Sequence, residues 1–563
     1  MNIYQVFTRL FRVDEGMNVP FGTIKENGCS KFNHFSVEAL NEFVKLGITH
    51  VWFTGVIRHA SCTKYVEYAL LPDNPRIVKG VAGSPYAIKD YFDVDPDLSE
   101  NIPNRMDEFE QLVKRCHDVG LKVIIDFVPN HVSRNYFSQK LPLGISNIGS
   151  DDIANKQFNP NNNYYYVGKR LTLPDKINFP YTIDSEDYIE EPAKATGNNV
   201  FNSKPNINDW YETVKLNYGV NYNNNSSHFY PIPNTWHKML DILLFWAKKG
   251  IDVFRVDMAE MVPVEFWNWA IARVKQQHPD LLFMGEVYNP QQYRSFINYG
   301  GFDLLYDKEQ FYNFMREIIT NNGSAKLLTD CWWKQEGLDR HLVRFLENHD
   351  EQRIASKQFC NNPFYAQPAM VVAATMHRGP LMIYFGQEIG EKASDSEGFS
   401  GSDGRTSIFD YWRIEEYQKW VNYGKFSVNK LSDKQQKLRK FYSDLLNLRQ
   451  EYRQILDSSF FDLMYVNQNN LDIDKIFAYL RYFGHNILLI VANFDCNKKH
   501  SFKLNFPEHA FEMMGLNRGK SLNIKGVFCN SDTIETSVNE LITSGLQIDI
   551  DKHTAYIFQI SVK

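Results

Sequence analysis

The stretch that decides the fold is residues 250–257, which read Gly-Ile-Asp-Val-Phe-Arg-Val-Asp. A glycine followed by a short apolar run is typical of a strand buried in a parallel sheet. Side chains alternate along a strand, so Arg255 and Asp257 are expected to point to the same face. Burying a carboxylate is costly. The pair therefore indicates either an oriented, ionised nucleophile or a structural ion pair at the rim of the sheet.

The succession of helix, glycine and apolar strand occurs three times in the first half of the chain. The predicted helices and the strands that follow them cover residues 36–46 and 48–53, 104–119 and 121–126, and 234–249 and 250–257. Gly47, Gly120 and Gly250 stand where a helix end takes the left-handed conformation at low cost, and Ser36 and Asn104 are predicted N-caps. Helices that alternate with apolar strands predict parallel βαβ units.

Eight such strands are predicted along the first two thirds of the chain. Besides the three above, they cover residues 3–7, 281–286, 302–306, 342–350 and 380–385. Eight parallel strands with intervening helices favour a closed (β/α)8 TIM barrel over an open doubly wound sheet. No Gly-x-Gly-x-x-Gly motif follows any of them, which argues against a dinucleotide-binding fold.

One connection is much longer than the others. Roughly a hundred residues, rich in Asn, Pro and Tyr, separate the third strand from the next helix. A long insertion after a barrel strand usually builds a binding lip over the C-terminal face. After a last predicted helix at 433–451, short alternating strands indicate an antiparallel β-sandwich. The predicted domains are a barrel (1–132 and 213–455), an insertion (133–212) and a C-terminal sandwich (456–563).

Composition places the chain among globular proteins of more than one domain. It has 563 residues, 43% of them hydrophobic, and a formal net charge of -6. We expect no nucleic-acid partner, and no apolar run is long enough to span a membrane. The seven cysteines form no Cys-x-x-Cys pair and are expected to be reduced. The N-terminus begins directly with a strand, so the cytoplasm is the expected compartment, or the periplasm if a signal peptide was removed.

Polar residues cluster at the predicted C-terminal ends of the strands, where TIM-barrel enzymes carry their functional groups. Residues 126–131 follow the third strand, Arg255 and Asp257 end the fourth, Glu286 ends the fifth, and 347–350 end the seventh. Singly, each has a structural interpretation as a capping Asp, a rim Glu or a core His. Together, at one end of successive strands, they predict a shared site at the barrel mouth.

In order and spacing, residues 126–131, 255–257, 286 and 349–350 resemble four short motifs of the α-amylase family of glycoside hydrolases. Segments 84–91 and 205–208 are similar to further motifs of that family. The resemblance covers the whole chain, including the insertion and the C-terminal β-domain. It implies a retaining glycoside hydrolase that cleaves α-1,4 bonds of malto-oligosaccharides or related α-glucans through a covalent glycosyl-aspartate.

The resemblance implies a catalytic trio. Asp257 would be the nucleophile, Glu286 the general acid/base, and Asp350 would stabilise the transition state by binding the sugar's ring hydroxyls. A retaining mechanism needs one ionised and one protonated carboxyl about 5–5.5 Å apart. Arg255 is expected to orient Asp257 and keep it ionised. Glu286 has no cation beside it in the sequence and is expected to keep its proton.

The resemblance also implies residues that bind substrate and metal. His131 and His349 would hydrogen-bond the sugar that is cleaved, and Tyr86 would stack beneath it. Asn130 corresponds to a residue that is a calcium ligand or a domain anchor in many relatives. The chemistry requires no cofactor, and a structural Ca2+ ion is possible. Residues 14–33 contain no Asp-x-Asp-x-Asp-Gly loop that would hold one.

Three positions depart from the family pattern. Many amylases carry a Lys-His pair three and four residues after the nucleophile, where this chain has Glu260 and Met261. This leaves the contacts beyond the scissile bond undefined. Exo-acting α-glucosidases often have an aspartate three residues before the stacking tyrosine, where this chain has Gly83. That difference favours cleavage within or near the ends of malto-oligosaccharides over strict terminal trimming.

Three alternatives stand beside hydrolysis. A transglycosylase or phosphorylase of the same family would use identical catalytic residues, and the sequence does not separate it from a hydrolase. A non-catalytic relative, such as the heavy chains of amino-acid transporters, would lack the three acids and carry a membrane helix that this sequence does not predict. An unrelated barrel with a structural ion network would not need all four motifs.

Overall fold

Eight parallel strands form the central sheet of the computed structural model, which describes residues 1–174, 187–320, 322–394 and 396–563. They are β1 (Asn2–Phe7), β2 (His50–Thr54), β3 (Lys122–Phe127), β4 (Val253–Val256), β5 (Leu282–Gly285), β6 (Leu304–Tyr306), β7 (Leu342–Val343) and β8 (Leu381–Tyr384). The strands pair in sequence order, β1 also pairs with β8, and a parallel bridge between Arg344 and Leu381 brings β7 against β8. The predicted TIM barrel is confirmed.

Helices alternate with these strands. They are α1 (Val37–Leu46), α2 (Arg105–Asp118), α3 (Asn234–Ala247), α4 (Val264–Gln277), α5 (Tyr293–Asn298), α6 (Asn313–Ile319), α7 (Leu327–Lys334), α8 (Gln367–Thr375), α9 (Glu415–Val421) and α10 (Asp433–Glu451). Single helical turns also occur at Ile24–Asn27 and Arg453–Leu456.

Of the two predicted N-caps, one is confirmed and one is wrong. Ser36 Oγ accepts a hydrogen bond from the N–H of Ala39, and α1 ends at Gly47 with φ of 95°. The side chain of Asn104 makes no capping bond to α2. A 3-10 turn at Ile102–Asn104 runs directly into α2, so no extended residue precedes that helix.

The inside of the barrel is filled by one apolar layer to which all eight strands contribute. Its fully buried members are Ile3, Trp52, Ile124, Val253, Met284, Tyr306, Val343 and Met382. The residues beside them in sequence point outward and join a larger core that also contains the apolar faces of the helices. Interior positions two residues further along each strand therefore form the next layer towards the C-terminal ends.

The connection between β3 and α3 carries short antiparallel pairs. His131–Ser133 pairs with Thr213–Lys215, and Val220–Asn221 pairs with Ser226–Ser227. The first pair fixes the return of this segment directly to the end of β3. Residues 175–186 of the predicted insertion lie outside the described residues.

The C-terminal part is antiparallel. Six strands form one sheet in the order Ser459–Asp462, Ile476–Phe483, Asn486–Asn493, Thr554–Val562, Ser521–Phe528 and Thr533–Ser537. His500–Leu504 and Leu546–Ile550 form a second, two-stranded sheet, and short helices occur at Glu508–Met513 and Val538–Ser544. The sheet is tied to the barrel where Thr375 Oγ1 lies 2.5 Å from Tyr479 Oη.

One predicted strand is much shorter than expected. Residues 342–350 were expected to be a single strand, but β7 ends at Val343. The side chain of Asn348 accepts hydrogen bonds from the N–H groups of Asp350 and Glu351, both at 2.9 Å. This local turn replaces the strand ladder, so Asp350 lies on a loop and not in the sheet.

All seven cysteines are free thiols. In the described ranges, every helix is too short or too polar to cross a membrane.

We predict that Asp307→Ala lowers the free energy of unfolding by about 3–5 kcal/mol. The fully buried Asp307 accepts a hydrogen bond from Arg344 Nε at 3.0 Å, beside the bridge that closes the barrel. The substitution leaves a buried guanidinium without its carboxylate. Urea unfolding followed by tryptophan fluorescence measures the effect. The control, Asp118→Ala, breaks an exposed pair with Lys114 and is expected to change stability little. Equal losses in both variants would contradict the prediction.

Candidate active site

The layer above the apolar interior is polar. Residues two positions beyond the inward-facing apolar ones are Gln5, Thr54, Asp126, Arg255 and Glu286. All five are buried, with between 0% and 6% of their surface exposed. Alternation along the strands points these side chains into the barrel. Asp126 and Arg255 are direct register partners, and Glu286 lies two residues beyond Met284, the partner of Arg255 on β5.

Arg255 lies at the centre of this layer and is fully buried. Its Nη1 donates to Asp257 Oδ1 at 2.8 Å and lies 3.4 Å from Asp126 Oδ1. Its Nη2 lies 2.9 Å from Glu286 Oε2, and its Nε donates to Tyr306 Oη at 3.2 Å. The two terminal nitrogens of one guanidinium therefore hold the two carboxyls that the sequence predicted as nucleophile and acid/base.

Aromatic rings surround the guanidinium. Its central carbon lies 5.1, 5.4 and 5.5 Å from the ring centres of Trp52, Tyr86 and Tyr306. Trp52 Nε1 also donates to Asp126 Oδ2 at 3.1 Å. These rings keep water from the charge, so its interactions with the carboxyls act at a lower effective dielectric than in solvent.

Glu286 is fixed at both oxygens. Its Oε2 accepts a hydrogen bond from the N–H of Met258 at 2.8 Å, and Tyr288 Oη lies 2.5 Å from Oε1. Met258 directly follows Asp257 and has a left-handed φ of 43°. No cation stands beside Glu286 in the sequence, but in the fold Arg255 reaches it from the neighbouring strand.

The protonation of Asp257 differs from the expectation. Burial raises its pKa well above the usual range; Arg255 opposes this rise, while the Glu286 and Asp350 carboxyls reinforce it. Burial also raises the pKa of Asp126, although Arg255 again opposes it. Arg255 therefore does not by itself keep Asp257 ionised. Several carboxyls share one guanidinium, and the cluster as a whole retains protons.

Asp350 and His349 lie next to this cluster. His349 Nε2 is 3.0 Å from Asp350 Oδ2 and 2.6 Å from Tyr86 Oη, and its Nδ1 is 2.7 Å from Gln5 Nε2. The Asp350 side chain is 39% exposed, the most open of the three predicted acids. Burial opposes its ionisation, but interactions with His349 and Arg255 prevail and lower its pKa to about 2.

A buried ion pair supports the loop that carries His349 and Asp350. Arg353 Nη1 donates to Glu347 Oε2 at 3.1 Å and to the carbonyl of Phe385 at 2.8 Å. Glu347 Oε1 accepts the N–H of Ile354 at 2.6 Å. Burial raises the pKa of Glu347 to about 7, although Arg353 opposes the rise. These contacts fix the loop between β7 and the end of β8.

His131 stands where β3 meets the insertion. Its ring packs against Trp210 at 5.2 Å, and its Nδ1 lies 3.0 Å from Asn130 Nδ2. Burial and the charge of nearby Lys215 lower its pKa to about 3, so the imidazole is neutral at neutral pH.

Asn130 does not offer a free ligand atom to a metal. Its Oδ1 accepts a hydrogen bond from the Lys215 ammonium, and its Nδ2 donates to the carbonyl of Gly197 at 2.9 Å. A divalent cation at Oδ1 would face a positive charge, so these residues do not fit a Ca2+ site. The contacts fit the other role that the resemblance allows, an anchor between barrel and insertion.

The two departures beyond the nucleophile have structural roles of their own. Glu260 Oε2 accepts the N–H groups of Tyr288 and Asn289 at 3.0 and 3.1 Å. The carbonyl of Met261 accepts a hydrogen bond from Lys215 at 3.1 Å. Glu260 thus fixes the loop that carries Tyr288 over Glu286.

Sequence reasoning gave no role to four residues that contact the predicted ones: Asp126, which it placed in the site, and Trp52, Tyr306 and Tyr288, which it did not. Trp52 could have been found, because it lies at an inward position of a predicted strand. Tyr306 is the last residue of β6 and likewise points into the barrel. Tyr288 gave no signal, because its place depends on the loop path that Glu260 fixes.

Comparisons with known proteins agree on a family. The profile described as "Alpha amylase, catalytic domain" matches residues 37–458, more than half of the chain. Alpha-amylase 3 of Dictyoglomus thermophilum is 23% identical over 435 residues, which are 74% of this chain and 70% of that protein. Neopullulanase 2 of Thermoactinomyces vulgaris is 23% identical over 407 residues, 69% of this chain and 56% of that protein.

Transferases are among the relatives as well. An alpha-1,4-glucan:maltose-1-phosphate maltosyltransferase of Cereibacter sphaeroides is 25% identical over 263 residues, 41% of this chain and 42% of that protein. The matched segments thus cover less than two thirds of the length of the maltosyltransferase and of the neopullulanase. Among solved structures, a maltogenic alpha-amylase of Thermotoga neapolitana aligns with a TM-score of 0.64 at 19% identity, covering 100% of this chain and 99% of that one. At this identity the likeness shows the fold.

We predict that Arg255→Met destabilises the protein more at about pH 8 than at about pH 5. The folded-state pKa values of Asp126 and Asp257 are raised, so their stabilising contribution is full below the unfolded pKa and is lost as the pH rises through the folded values. Removing the guanidinium raises them further, and the deficit therefore grows with pH. Thermal unfolding of variant and parent at both pH values measures it.

The matched control is Arg12→Met, which removes a partly exposed pair with Asp14. It is expected to give a small difference that does not depend on pH over this range. A deficit of the Arg255 variant that is the same at both pH values would contradict the prediction.

Proposed function

Because the chain belongs to the α-amylase family, we propose that it is a retaining hydrolase of α-1,4-glucosidic bonds in malto-oligosaccharides or related α-glucans. The observation that carries the proposal is that Asp257 and Glu286 contact the two terminal nitrogens of one buried guanidinium. A double displacement needs two carboxyls that face one bond and differ in protonation.

The contacts of Arg255 favour one assignment of the proton. Nη1 donates an aligned hydrogen bond to Asp257, whereas Nη2 makes no aligned hydrogen bond, although it lies 2.9 Å from Glu286. A hydrogen bond to the charged form of an acid stabilises that form. Of the two carboxyls, Asp257 is therefore the one whose anion Arg255 stabilises more, which offsets part of the rise in its pKa caused by burial.

In the first step, Glu286 gives its proton to the glycosidic oxygen while an Asp257 oxygen attacks the anomeric carbon. The C–O bond to the leaving sugar breaks, the leaving sugar departs with a hydroxyl group, and a β-linked glycosyl ester forms. In the second step, Glu286 takes a proton from water, and the water oxygen attacks the same carbon. The ester bond breaks, Asp257 is released as a carboxylate, and the product is the α-anomer.

The surrounding residues have assigned places in this scheme. Asp350 and His349, linked at 3.0 Å, would bind ring hydroxyls of the sugar that is cleaved. His131, neutral and hydrogen-bonded at Nδ1, would contribute a ring N–H. Tyr86 would stack beneath the sugar; its hydroxyl is held by His349. No metal or cofactor takes part in either step.

Glycosyl transfer is a second candidate, favoured by one observation. A relative that aligns with this chain is named a maltosyltransferase, and another a cyclomaltodextrin glucanotransferase. Transfer differs from hydrolysis only in the second step, where a sugar hydroxyl or phosphate replaces water. Products from maltotriose, with and without inorganic phosphate, separate the candidates. Longer oligosaccharides indicate transfer, a sugar phosphate indicates phosphorolysis, and a panel of pullulan, isomaltose, sucrose and trehalose defines the linkage.

We predict that Asp257→Ala and Glu286→Ala each lower kcat by at least about 10³-fold. Azide distinguishes the two roles when an α-maltosyl fluoride is the substrate. It should rescue Asp257→Ala by direct attack and give the β-azide. In Glu286→Ala it should intercept the glycosyl-enzyme and give the α-azide. Chromatography and NMR identify the products.

Asp252→Asn is the control for this pair. Asp252 precedes the same strand at its opposite end, where it contacts Lys122, and the variant is expected to keep parental activity. Parental rates in either alanine variant, or the same azide anomer from both, would refute the assignment.

We predict that the first product released from maltotriose is the α-anomer. Two inversions at one carbon restore the original configuration. Proton NMR within the first minutes, before mutarotation, measures the anomeric ratio. An initial β-product would exclude the glycosyl-aspartate.

A further inference from the structure

A buried lysine lies where the insertion returns to the barrel. Lys215 ends the short strand Thr213–Lys215, and its register partner on the opposite strand is His131. Only 2% of Lys215 is exposed. Its ammonium contacts Asn130 Oδ1 at the end of β3 and the carbonyl of Met261 after β4. One side chain thus connects three segments that are distant in sequence.

The surroundings of this ammonium are neutral. Its two oxygen acceptors are an amide and a peptide carbonyl, and the ring of Tyr222 lies 5.8 Å away. In the described part of the chain, burial lowers the pKa of Lys215 to about 7, so the ammonium and amine forms are close in free energy at neutral pH, and no nearby carboxylate opposes the shift. An unpaired buried charge is costly, so its retention needs a compensating role.

We propose that the Lys215 ammonium is the resident cation of this junction, that it takes the place of a divalent metal there, and that it positions His131 and Glu286. Amide and carbonyl oxygens from separate segments are the ligands that a hard cation uses to join them. Here the chain supplies the cation itself, and the site has no carboxylate to attract a metal ion.

The first link runs to His131. The hydrogen bond from Lys215 fixes the orientation of the Asn130 amide, so that Nδ2 faces both the carbonyl of Gly197 and Nδ1 of His131. Because Nδ1 of His131 accepts this hydrogen bond, the single proton of the neutral ring lies on Nε2. Lys215 therefore fixes the tautomer of His131 through Asn130.

The second link runs to Glu286. The Met261 carbonyl that Lys215 holds belongs to the 3-10 turn Ala259–Met261, and the N–H of Met261 bonds back to the carbonyl of Met258. The N–H of Met258 donates to Glu286 Oε2. Lys215 is thus a positioning residue for two groups of the site, His131 and Glu286.

The first experiment concerns the metal and does not depend on the proposed function. Thermal unfolding of the full chain is measured with EDTA and with Ca2+, and bound metal is measured by mass spectrometry after dialysis against Ca2+. We expect the same Tm in both conditions and no stoichiometric calcium. If the Tm depends on Ca2+, Asn130→Ala decides the location. Loss of the dependence in that variant would overturn the proposal, and its persistence would place the metal elsewhere.

The second experiment concerns positioning and rests on the proposed function. Lys215→Met keeps the length of the side chain without its charge, and Lys204→Met removes an exposed lysine of the same insertion as a control. We expect kcat to fall about 10- to 100-fold in Lys215→Met with KM little changed, and no change in the control.

Rescue separates positioning from a general loss of structure. In Lys215→Ala, methylammonium should restore part of the activity, because it returns a cation to the two oxygens. Methanol, of similar size and without charge, should not. Equal rescue by both, or parental kcat in Lys215→Met, would overturn the positioning role. If no variant shows activity because the parent has none on α-glucans, the proposed function fails while the metal result still decides the cation proposal.

Discussion

One buried guanidinium determines the geometry of the site. Arg255 contacts Asp257 and Glu286 through different nitrogens and lies within 3.4 Å of Asp126. A guanidinium is planar and rigid, so it fixes the positions of acids from neighbouring strands relative to each other in a way that a flexible ammonium would not. Three aromatic rings enclose it and preserve the strength of these interactions. The strands determine how far along the barrel axis each group lies. Arg255 determines the distance between the acids.

Hydrogen bonds that involve backbone N–H groups also position the acids. The N–H of Met258 fixes Glu286, and the side chain of Asn348 fixes the N–H of Asp350. Glu260, at a position where the family often has lysine, holds the loop after β5 by two N–H groups. The departure from the family pattern is therefore compensated locally. The Glu260 side chain holds the loop that carries Tyr288, whose hydroxyl contacts Glu286.

Much of this arrangement follows from the sequence, for identifiable reasons. The strand ending in Arg255 and Asp257 was predictable because apolar alternation fixes which side chains share a face. The barrel followed from repeated helix, glycine and strand units. The end of β7 was not predictable, because a turn held by Asn348 replaced the ladder within an apolar segment. The raised pKa of Asp257 was not predictable either, because it depends on carboxyls that other parts of the chain bring near it. The partner of Asn130 lay 85 residues away along the chain, beyond the reach of any local pattern.

The pairing of β1 with β8 has a consequence for how this protein is made. During synthesis on the ribosome, β1 is made before β8, and the edge of β1 that pairs with β8 stays without that partner until residues 381–384 have been translated. For most of that time the nascent chain presents an unpaired, apolar strand edge, which is a surface that invites association with other chains. Folding of the barrel is therefore completed only after β8 has been made, and until then the open edge of β1 can associate with other chains.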